Sequence, residues 1–558
     1  MKEYKRTIAI IIGLVMCLSL LSACGNNETP TTAPSAAAPS ASPSSQPQGS
    51  SSPSPSAALP SSGDQSFIEP PKEDESVKYA DHIEVLLDSN IAVINPTSTA
   101  GSSGPGVNST YTIIYDRIVE FDEIEGRHVP ALATSWETDD WQTITFKLRD
   151  DVYFHNGDKF TAHDVVYSVM LGKDSPGTLI YSYYDTVDSV TAIDDYTVVY
   201  HLKGVNAHFL YCLDLPMCVM FNKRAIEADP IEGFYIGTGA YKVTGFSTND
   251  YVTFERNEDY WGVLPITKTQ RWRFVPEVST RSILLQNKDV HVAMQVAAGD
   301  IKIFRDSPEF TTFMNLENNA TALLFNMKDP ICGDINFRKA VAYALNKEEI
   351  AIVAMEDMFA LPTDGSIGWG YRTPGRNTSI PEIQQDIDKA KQYLADSVYN
   401  GEELEISTAR VDNVRAMEAI QEQLARIGIK TRINEMDQAS FLAYATGMED
   451  NGQLLSWVQV MQADPSSYRN QFYERMGPNR TKYVNHEVME MLDKARTTVD
   501  FDERREIYMK LQEMVAADIP AVPLYFRAAE FVAVKGVGGV LVTLNATDFR
   551  NMYMVIED

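Results

Sequence analysis

The sequence is poor in cysteine, histidine and basic residues. Its 558 residues include 5 cysteines and 8 histidines, and 48 lysines and arginines stand against 77 acidic residues, for a net charge of −29 at pH 7. A nucleic-acid partner is disfavoured, because phosphate binding requires a basic face. The histidines show no H-x-x-x-H spacing and form no cluster with cysteine, so the sequence indicates neither a metal nor a cofactor.

Long apolar runs are also missing, except for one at the beginning of the chain. Residues 8–21 are almost all apolar and follow three basic residues, Lys2, Lys5 and Arg6. This run is too short to span a bilayer comfortably, and its layout is typical of a secretory signal peptide. We therefore predict that residues 1–23 are a signal peptide.

A cysteine stands directly after this segment. The residues Leu-Ser-Ala-Cys-Gly at 21–25 resemble the lipobox of bacterial lipoproteins. The resemblance implies that Cys24 carries a lipid, which would hold the chain on the outer face of the cytoplasmic membrane without spanning it. The alternative is an ordinary signal peptide that happens to contain a cysteine.

Residues 26–66 consist largely of Ser, Pro, Ala, Thr and Gln. Such a composition buries too little apolar surface to offset the entropy of ordering, so we predict a disordered tether over 24–78. A stalk of this length suggests a Gram-positive cell surface, although a periplasmic anchor stays open.

Three further cysteines follow the tether. Cys212 and Cys218 are close enough in sequence to close a small disulfide loop, and two buried free thiols are an equal alternative. Cys332 has no neighbour in sequence with which to pair.

The stretch 130–170 carries the clearest local pattern. Residues 143–148 alternate between polar and apolar, which predicts a half-buried strand. The alternation resumes at 152–154 and ends in the turn-forming residues 155–158, which favours a hairpin. Thr161, with Asp164 three residues later, predicts the N-cap of a helix.

The same stretch resembles a known family. The order P-x-L-A-x-S-W, T-F-x-L-R-x-x-V-x-F-H-x-G and T-A-x-D-V-x-Y-S, from Pro130 to Ser168, is similar to the signature of family 5 extracellular solute-binding proteins. These are the oligopeptide, dipeptide and nickel receptors of ABC importers. Residues 237–241 and 252–261 resemble the family's G-T-G-P-Y and E-R-N-x-x-Y-W, with Ala240 in place of the usual proline.

The resemblance implies an α/β, three-lobed type II periplasmic-binding-protein-like fold with discontinuous domains. The expected bounds are 79–118 with 213–316 and 523–558 for lobe I, 119–212 for lobe II and 317–522 for lobe III. Hinge segments are expected near Leu316 and Pro523, where the lobes would open and close around a ligand.

Several local expectations accompany this fold. Residues 91–96 resemble the family's opening strand and loop, 101–106 are expected to form a flexible loop near the ligand cleft, and 110–119 to form a helix. Arg338, near the start of a predicted helix, is more often a partner in a structural ion pair than a ligand clamp.

The implied function is capture of a peptide or a peptide-like solute and its delivery to the permease and ATPase subunits of an ABC importer. A signalling or pheromone receptor, or a receptor for a sugar-like solute, an opine-like solute or a metal chelate, is the alternative. An enzyme is disfavoured, since G-x-S-x-G, H-E-x-x-H and a strand-to-helix G-x-G-x-x-G are missing. We expect a monomer at the cell surface or in the periplasm.

One motif departs from the family. Peptide-binding members usually carry G-W-x-x-D before a proline, and the aspartate pairs with the peptide's α-ammonium group. Here Trp457 and Pro465 match, but Val460 takes the place of the aspartate. Either Asp464 reaches the ligand from a shifted loop, or the ligand has no free amine there. We favour the second, because the expected position is apolar.

Five further residues complete the predicted ligand site. Trp457, Trp369 and Tyr371 would pack on an uncharged or sugar-like body, with plain core packing as an equal alternative. Gln459 lies beside Trp457 in the same motif, and Arg372 is a candidate partner for a ligand carboxylate.

Overall fold

The computed structural model describes residues 76–87, 89–101, 105–123, 127–355, 360–371, 373, 375–409, 411–437, 440–441, 444–445, 452–461, 465–472, 479–543 and 546–556. The predicted signal peptide, Cys24 and nearly all of the predicted tether lie outside these residues. Arg372 and Asp464 also lie outside them.

Most strands are short, but two strands in the second half of the chain are much longer. In chain order the strands are β1 His82–Leu87, β2 Val119–Asp122, β3 Arg127–Pro130, β4 Ala133–Glu137, β5 Thr143–Leu148, β6 Val187–Asp194, β7 Thr197–Leu202, β8 Tyr241–Ser247, β9 Tyr251–Arg256, β10 Thr269–Phe274, β11 Val292–Met294, β12 Phe310–Phe325, β13 Ala360–Pro362, β14 Glu403–Thr408, β15 Lys430–Glu435, β16 Leu454–Val460, β17 Ala521–Val534, β18 Val537–Gly538, β19 Leu541–Val542, β20 Thr547–Asp548 and β21 Tyr553–Met554. The long strands are β12 and β17.

Many helices begin at a polar residue whose side chain accepts a backbone N–H of the first turn, which the helix itself leaves unpaired. Asn222, Asp334, Asp386, Asn485 and Asp500 do so. In chain order the helices are α1 Pro105–Ile114, α2 Ala162–Lys173, α3 Leu179–Tyr184, α4 Phe209–Leu213, α5 Lys223–Ala228, α6 Val278–Gln286, α7 Ala298–Asp306, α8 Ile335–Ala344, α9 Lys347–Met355, α10 Ile387–Ala395, α11 Val411–Ala425, α12 Arg469–Phe472, α13 His486–Thr497 and α14 Phe501–Asp518, with 3-10 turns at Glu232–Tyr235 and Pro465–Tyr468.

The large sheet has two halves, and the strands β12 and β17 run through the middle and belong to both. Its order is β15-β14-β16-β12-β17-β11-β1-β10-β9-β8, and β13 also pairs with β17. On one side β16 pairs with Asn319–Phe325 of β12, and on the other β11 pairs with 531–533 of β17. The antiparallel pair β12–β17 therefore joins both halves.

The pairing of these two strands is interrupted midway. Phe310 to Leu316 pair with Val534 to Ala528, and Ala320 to Leu324 pair with Phe526 to Ala521. Between Leu316 and Ala320 the register shifts. An irregularity of this kind disrupts the ladder and bends the strand locally.

The smaller sheet, β4-β5-β7-β6, contains the strand predicted at 143–148. The hairpin predicted after it is wrong in extent, because Tyr153 and Lys159 form only one isolated bridge. Gly157 turns the chain there with φ +84°. The helix cap is confirmed: the Thr161 N–H donates to Asp164 Oδ2 at 3.0 Å, and α2 begins at the next residue.

Two expectations near the first strand are corrected. The helix predicted at 110–119 is α1, which begins at Pro105 and ends at Ile114. Proline suits the first turn of a helix, where its missing N–H is not needed. Gly106, which was expected in a loop, is therefore helical, and residues 91–96 form no strand.

A partly buried histidine explains why two motifs of the sequence occur together. The Gly237 N–H donates to His155 Nδ1 at 3.2 Å, and His155 Nε2 lies 3.0 Å from the Gly239 carbonyl. The first contact leaves the proton on Nε2, which donates to Gly239. Burial lowers the pKa of His155 to about 4, so the ring is neutral at pH 7.

The Tyr-Trp pair at 260–261 also has a structural role. Both side chains donate to the buried carboxylate of Asp116, Trp261 Nε1 at 2.8 Å and Tyr260 Oη at 3.0 Å. The Thr238 hydroxyl donates to the same group at 3.0 Å. Since a buried carboxylate needs such donors, these motifs fix the junction between α1 and the β8–β9 hairpin.

The second half of the chain is wound as predicted. β14 and β15 are parallel and are joined by α11, which makes a βαβ unit. Gly428 follows that helix with φ +93°. Arg338 has a structural role: its guanidinium donates to the carbonyls of Asp518 at 3.0 Å and Cys332 at 2.9 Å.

Apolar cores lie on both faces of this half of the sheet. Leu323 and Phe325 of β12 pack with Phe337 on one face, whereas Ala322 and Leu324 pack with residues of α13 and α14 on the other. Successive strand residues point to opposite faces, so the sheet is covered on both sides.

Among the described residues, Cys212, Cys218 and Cys332 form no disulfide with one another. Burial raises the pKa of Cys218 and Cys332 well above the usual thiol value, which keeps them protonated and unreactive. No helix among the described residues has the length and apolar character to cross a bilayer. Within the same residues, no three acidic, histidine or cysteine side chains converge as metal ligands would.

Candidate functional site

The candidate site lies where the β12–β17 register shifts. Asn318 belongs to this irregular stretch, and its buried Nδ2 donates to the Met461 carbonyl at 3.0 Å, just past the end of β16. The same amide donates to Thr373 Oγ1. A Cβ at Gly370 would lie 2.3 Å from Asn318 Oδ1, so only glycine allows this approach. Asn318 thus connects β12, the end of β16 and the segment 367–373.

Side chains from the 3-10 turn and α12 hold the segment 367–373 from the other side. Tyr468 Oη donates to the Ile367 carbonyl at 2.7 Å, and Gln471 Nε2 donates to the Gly368 carbonyl at 2.9 Å. Gly368 has φ +71°, a backbone conformation that favours glycine. The described part of this segment, which includes the predicted ligand residues Trp369 and Tyr371, is therefore fixed by packing and hydrogen bonds.

Gln459 stands beside this segment. Its side chain is 3% exposed, and its Nε2 would lie 3.1 Å from a Cβ placed on Gly368. Among the described residues, no group donates a hydrogen bond to its buried Oε1. A buried acceptor without a donor costs about 1–3 kcal/mol, so this amide is suited to a partner with an N–H or O–H group.

Trp369 is a core residue at 1% exposure. Its ring lies 4.9 Å from the ring of Tyr468 and 5.4 Å from that of Tyr508, and its Nε1 donates to the Thr373 carbonyl at 3.2 Å. Tyr508 in turn lies within hydrogen-bond distance, 3.3 Å, of His208 Nε2. Trp369 is therefore packed in the core, which was the alternative to a ligand contact. The Tyr508–His208 contact also connects the site to the segment before α4.

Trp457 already has close partners. The Phe441 ring is stacked on it at 5.9 Å, and the Arg480 guanidinium lies 3.6 Å from its ring centre. Burial lowers the pKa of Arg480 to about 10, which still leaves it charged at pH 7. The predicted role of Trp457 as a surface on which a ligand stacks stays a prediction.

Tyr371 lies on β17. Its ring meets that of Phe526 edge to face at 5.5 Å, and the Arg376 guanidinium sits 4.8 Å from its centre. Arg376 also pairs with Asp364 at 2.6 Å. This tyrosine therefore borders the strand pair at the register shift, where Phe526 pairs with Ala320 and Ala320 pairs with Gln459.

The structure brings some of the predicted residues together. Gln459 and Trp457 are two residues apart on β16 and so share one face, and Gly368, next to Trp369, contacts Gln459. Tyr371 packs on Phe526, which is two strands from Gln459 in the same register, and the described residues include neither Arg372 nor Asp464. Sequence reasoning missed Asn318, Tyr468 and Gln471, which position the segment 367–373.

No short motif could have indicated the missed residues. Asn318 acts through a register shift between two strands that are about 200 residues apart, and glutamine and tyrosine carry no pattern of their own. Gly368 and Gly370 were the available signal, since two glycines flanking a tryptophan indicate close backbone approach.

The comparison with protein families matches the descriptor "Bacterial extracellular solute-binding proteins, family 5 Middle" to residues 127–479. This match confirms the resemblance inferred from the motifs of the sequence. The family is one of substrate-binding proteins rather than enzymes.

Individual relatives have low sequence identity to this chain, but the alignments cover most of both chains. The chain is 24% identical to the dipeptide-binding protein of Escherichia coli (strain K12) over 460 residues, 75% of this chain and 85% of that one. It is 25% identical to heme-binding protein A of Haemophilus influenzae over 461 residues, 75% of this chain and 83% of the relative.

Among solved structures, the periplasmic binding protein DppA of Helicobacter pylori, in complex with the peptide STSA, aligns with a TM-score of 0.72 at 24% identity. The alignment covers 85% of this chain and 98% of that one. This likeness confirms the predicted type II binding-protein fold.

Proposed function

The chain belongs to the family 5 bacterial extracellular solute-binding proteins, and from this premise we propose that it captures a peptide or a peptide-like solute between its lobes. It then presents the solute to the permease of an ABC importer, whose permease and ATPase subunits are separate chains. The relatives named for dipeptides and for heme, and the solved structure with a bound tetrapeptide, support a solute of this size.

The lobes of the proposal keep the bounds expected from the sequence, namely 79–118 with 213–316 and 523–558, 119–212, and 317–522. The shared strands β12 and β17 are the proposed hinge between lobes I and III. The register shift between Leu316 and Ala320 supports this assignment, because a break in the ladder is where two paired strands bend most easily.

Gln459 is the observation that carries the proposed site. It is a buried amide beside the hinge, and its Oε1 lacks a donor among the described groups. A peptide supplies backbone N–H groups spaced along its length, so a bound solute would satisfy this acceptor. In this proposal Asn318, Tyr468 and Gln471 hold the segment 367–373 in place around the solute.

The solute's charge follows from Val460. An ammonium group enclosed without a counter-charge costs several kcal/mol, and each 1.4 kcal/mol is about tenfold in affinity. We therefore favour a solute without a free amine at that point, with Arg372 as the candidate partner for a carboxylate. A peptide receptor in which Asp464 supplies the counter-charge is the second candidate.

Calorimetry distinguishes the two. Short peptides with free and with acetylated N-termini are titrated into the chain from residue 25 onward and into its Asp464→Ala variant. The proposal predicts that acetylation leaves affinity unchanged or improves it. Tight binding of free-amine peptides alone, lost in Asp464→Ala, would instead identify a conventional peptide receptor with a displaced acid.

A pair of glutamine substitutions tests the site itself. Gln459→Leu should weaken binding about tenfold, by the loss of one buried hydrogen bond, without lowering the stability of the unliganded protein. Gln423→Leu is the matched control, since Gln423 is buried but accepts the Asn346 N–H at 2.7 Å. It should cost about 1–3 kcal/mol of stability and leave affinity unchanged. An unaltered affinity in Gln459→Leu would reject this site.

The location of the protein is also a proposal. Cleavage after residue 23 and lipid attachment to Cys24 would place the chain on the outer face of the cytoplasmic membrane, as a monomer, with residues 24–78 as a tether. A tether keeps the folded lobes near the permease, which raises the effective concentration of the receptor at the transporter.

A further inference from the structure

A cavity lies beside the candidate solute site and shares Ile367 with the segment 367–373. It is open to solvent on one side, has a volume of about 510 Å³ and is lined by residues of α8, α9, α10 and α14, of the segments 364–367 and 379–383, and of the start of β17. Small-molecule sites in proteins have volumes of roughly 300–1,000 Å³. Its wall residue Ala521 pairs with Leu324, six residues along β12 from Asn318, which corresponds to about 20 Å.

The wall of this pocket, which we name the α8–α14 pocket, is mostly apolar. Ala342 and Tyr343 of α8 face Ala516 and Ala517 of α14, and Ile367 closes one side. Helix residues three and four positions apart lie on one face, so each helix presents a continuous strip to the cavity. Such a wall suits the hydrocarbon part of a ligand.

Four charged side chains also line the pocket, and three of them are engaged. Lys347, at 7% exposure, donates to the Thr363 carbonyl at 3.2 Å and lies 3.4 Å from Glu382. Asp364 pairs with Arg376 at 2.6 Å. These two groups are neutralised within the protein, and they leave no charge for a ligand to balance.

The other two differ from each other. Glu513 accepts a hydrogen bond from Asn377 Nδ2 at 3.2 Å. Lys339 has only the ring of Tyr393, 5.3 Å from its ammonium nitrogen, and no carboxylate within 4.0 Å among the described residues. Among the described lining residues, Lys339 is therefore the cationic group that can meet a ligand carboxylate.

We propose that the α8–α14 pocket binds a small amphipathic monocarboxylate, with its hydrocarbon chain between α8 and α14 and its carboxylate on the Lys339 ammonium. A charge-assisted hydrogen bond fixes the head, and the apolar walls supply the remaining affinity. The pocket borders the proposed solute site at Ile367, but its polar contact is the Lys339 ammonium rather than the Gln459 amide, so the proposal does not depend on that site.

The probe is octanoate, and octanol and octylammonium are comparison compounds with the same hydrocarbon chain length. Calorimetry on the chain from residue 25 onward should give one octanoate per protein, with both analogues at least about tenfold weaker. Lys339→Gln should weaken octanoate about tenfold, and Lys339→Arg should retain it. Lys391→Gln, on the exposed face of α10 and outside the lining, should change nothing.

A second variant blocks the pocket without touching a charge. Ala517 is exposed at the rim, so Ala517→Phe can fill the cavity while the melting temperature stays at the wild-type value. It should abolish octanoate binding and leave peptide binding intact, whereas Gln459→Leu should do the reverse. Hydrogen exchange of 364–367 and 513–523 should slow when octanoate binds.

Four outcomes would overturn the proposal. The first is no octanoate binding, the second is equal binding of octanol, and the third is octanoate binding that survives both Lys339→Gln and Ala517→Phe. Loss of octanoate binding in Gln459→Leu would also overturn it, because the probe would then occupy the solute site.

Discussion

His155 gives a pH dependence whose size can be worked out from the structure. Its ring is partly buried, Nδ1 accepts from the Gly237 N–H, and Nε2 donates to the Gly239 carbonyl. A second proton would have to sit on Nδ1, where it would face the Gly237 N–H. Burial lowers the pKa from 6.5 to about 4, which corresponds to about 3 kcal/mol of folding free energy.

The sign follows from which state holds more protons. Between pH 6.5 and about 4 the unfolded chain protonates this histidine and the folded chain does not. The contribution of His155 to the free energy of unfolding is therefore complete above the pKa of the unfolded chain. It falls as the pH is lowered towards the pKa of the folded protein. His155→Gln keeps an acceptor and a donor but removes the titrating group.

The assay is urea unfolding of wild type and variant at several pH values from about 7.5 to about 4. The wild type should be the more stable protein at high pH, and its advantage should shrink by about 3 kcal/mol at low pH. His163→Gln, in which an exposed ring (69% of its side-chain surface) is removed, is the matched control. A wild-type advantage over His155→Gln that stays constant across this range would refute the reasoning.

Two further predictions concern the fold and the anchor. Gly237→Ala should destabilise the protein by 2 kcal/mol or more, of the order typical of strong steric clashes, because its Cβ would lie 2.0 Å from the Ile114 carbonyl oxygen. Gly204→Ala, where a Cβ would meet nothing within 4 Å, should change thermal unfolding little. Metabolic labelling with a fatty acid should mark the wild-type chain and not Cys24→Ala, and a labelled variant would exclude lipid attachment at this cysteine.

Local features were predictable because neighbours in sequence determine them. The Thr161 cap needs only Asp164 three residues later, and the βαβ unit from β14 to β15 follows from alternation and from Gly428. The start of α1 was missed because the Gly-Pro-Gly run at 104–106 was assigned to a loop. Gly106 is glycine for another reason, since a Cβ there would lie 2.9 Å from Ser89 Oγ.

The site was predictable only in part, because its residues meet through tertiary contacts. Trp369 and Trp457 are typical ligand-binding residues in composition, yet Tyr508 packs on one and Arg480 on the other. Those partners lie far along the chain, and no local pattern indicates them. Gln459 was identified through its place in a family motif, but its unsatisfied acceptor is visible only in the structure.

The central claim is that a solute is enclosed when two lobes close about the β12–β17 hinge. Small-angle X-ray scattering of the chain from residue 25 onward, with and without a saturating peptide chosen by calorimetry, tests it most directly. The account predicts that peptide decreases the radius of gyration of the wild type. At a peptide concentration too low to occupy Gln459→Leu, the radius of gyration of that variant should not decrease. An unchanged radius in the saturated wild type would contradict closure and indicate a rigid receptor.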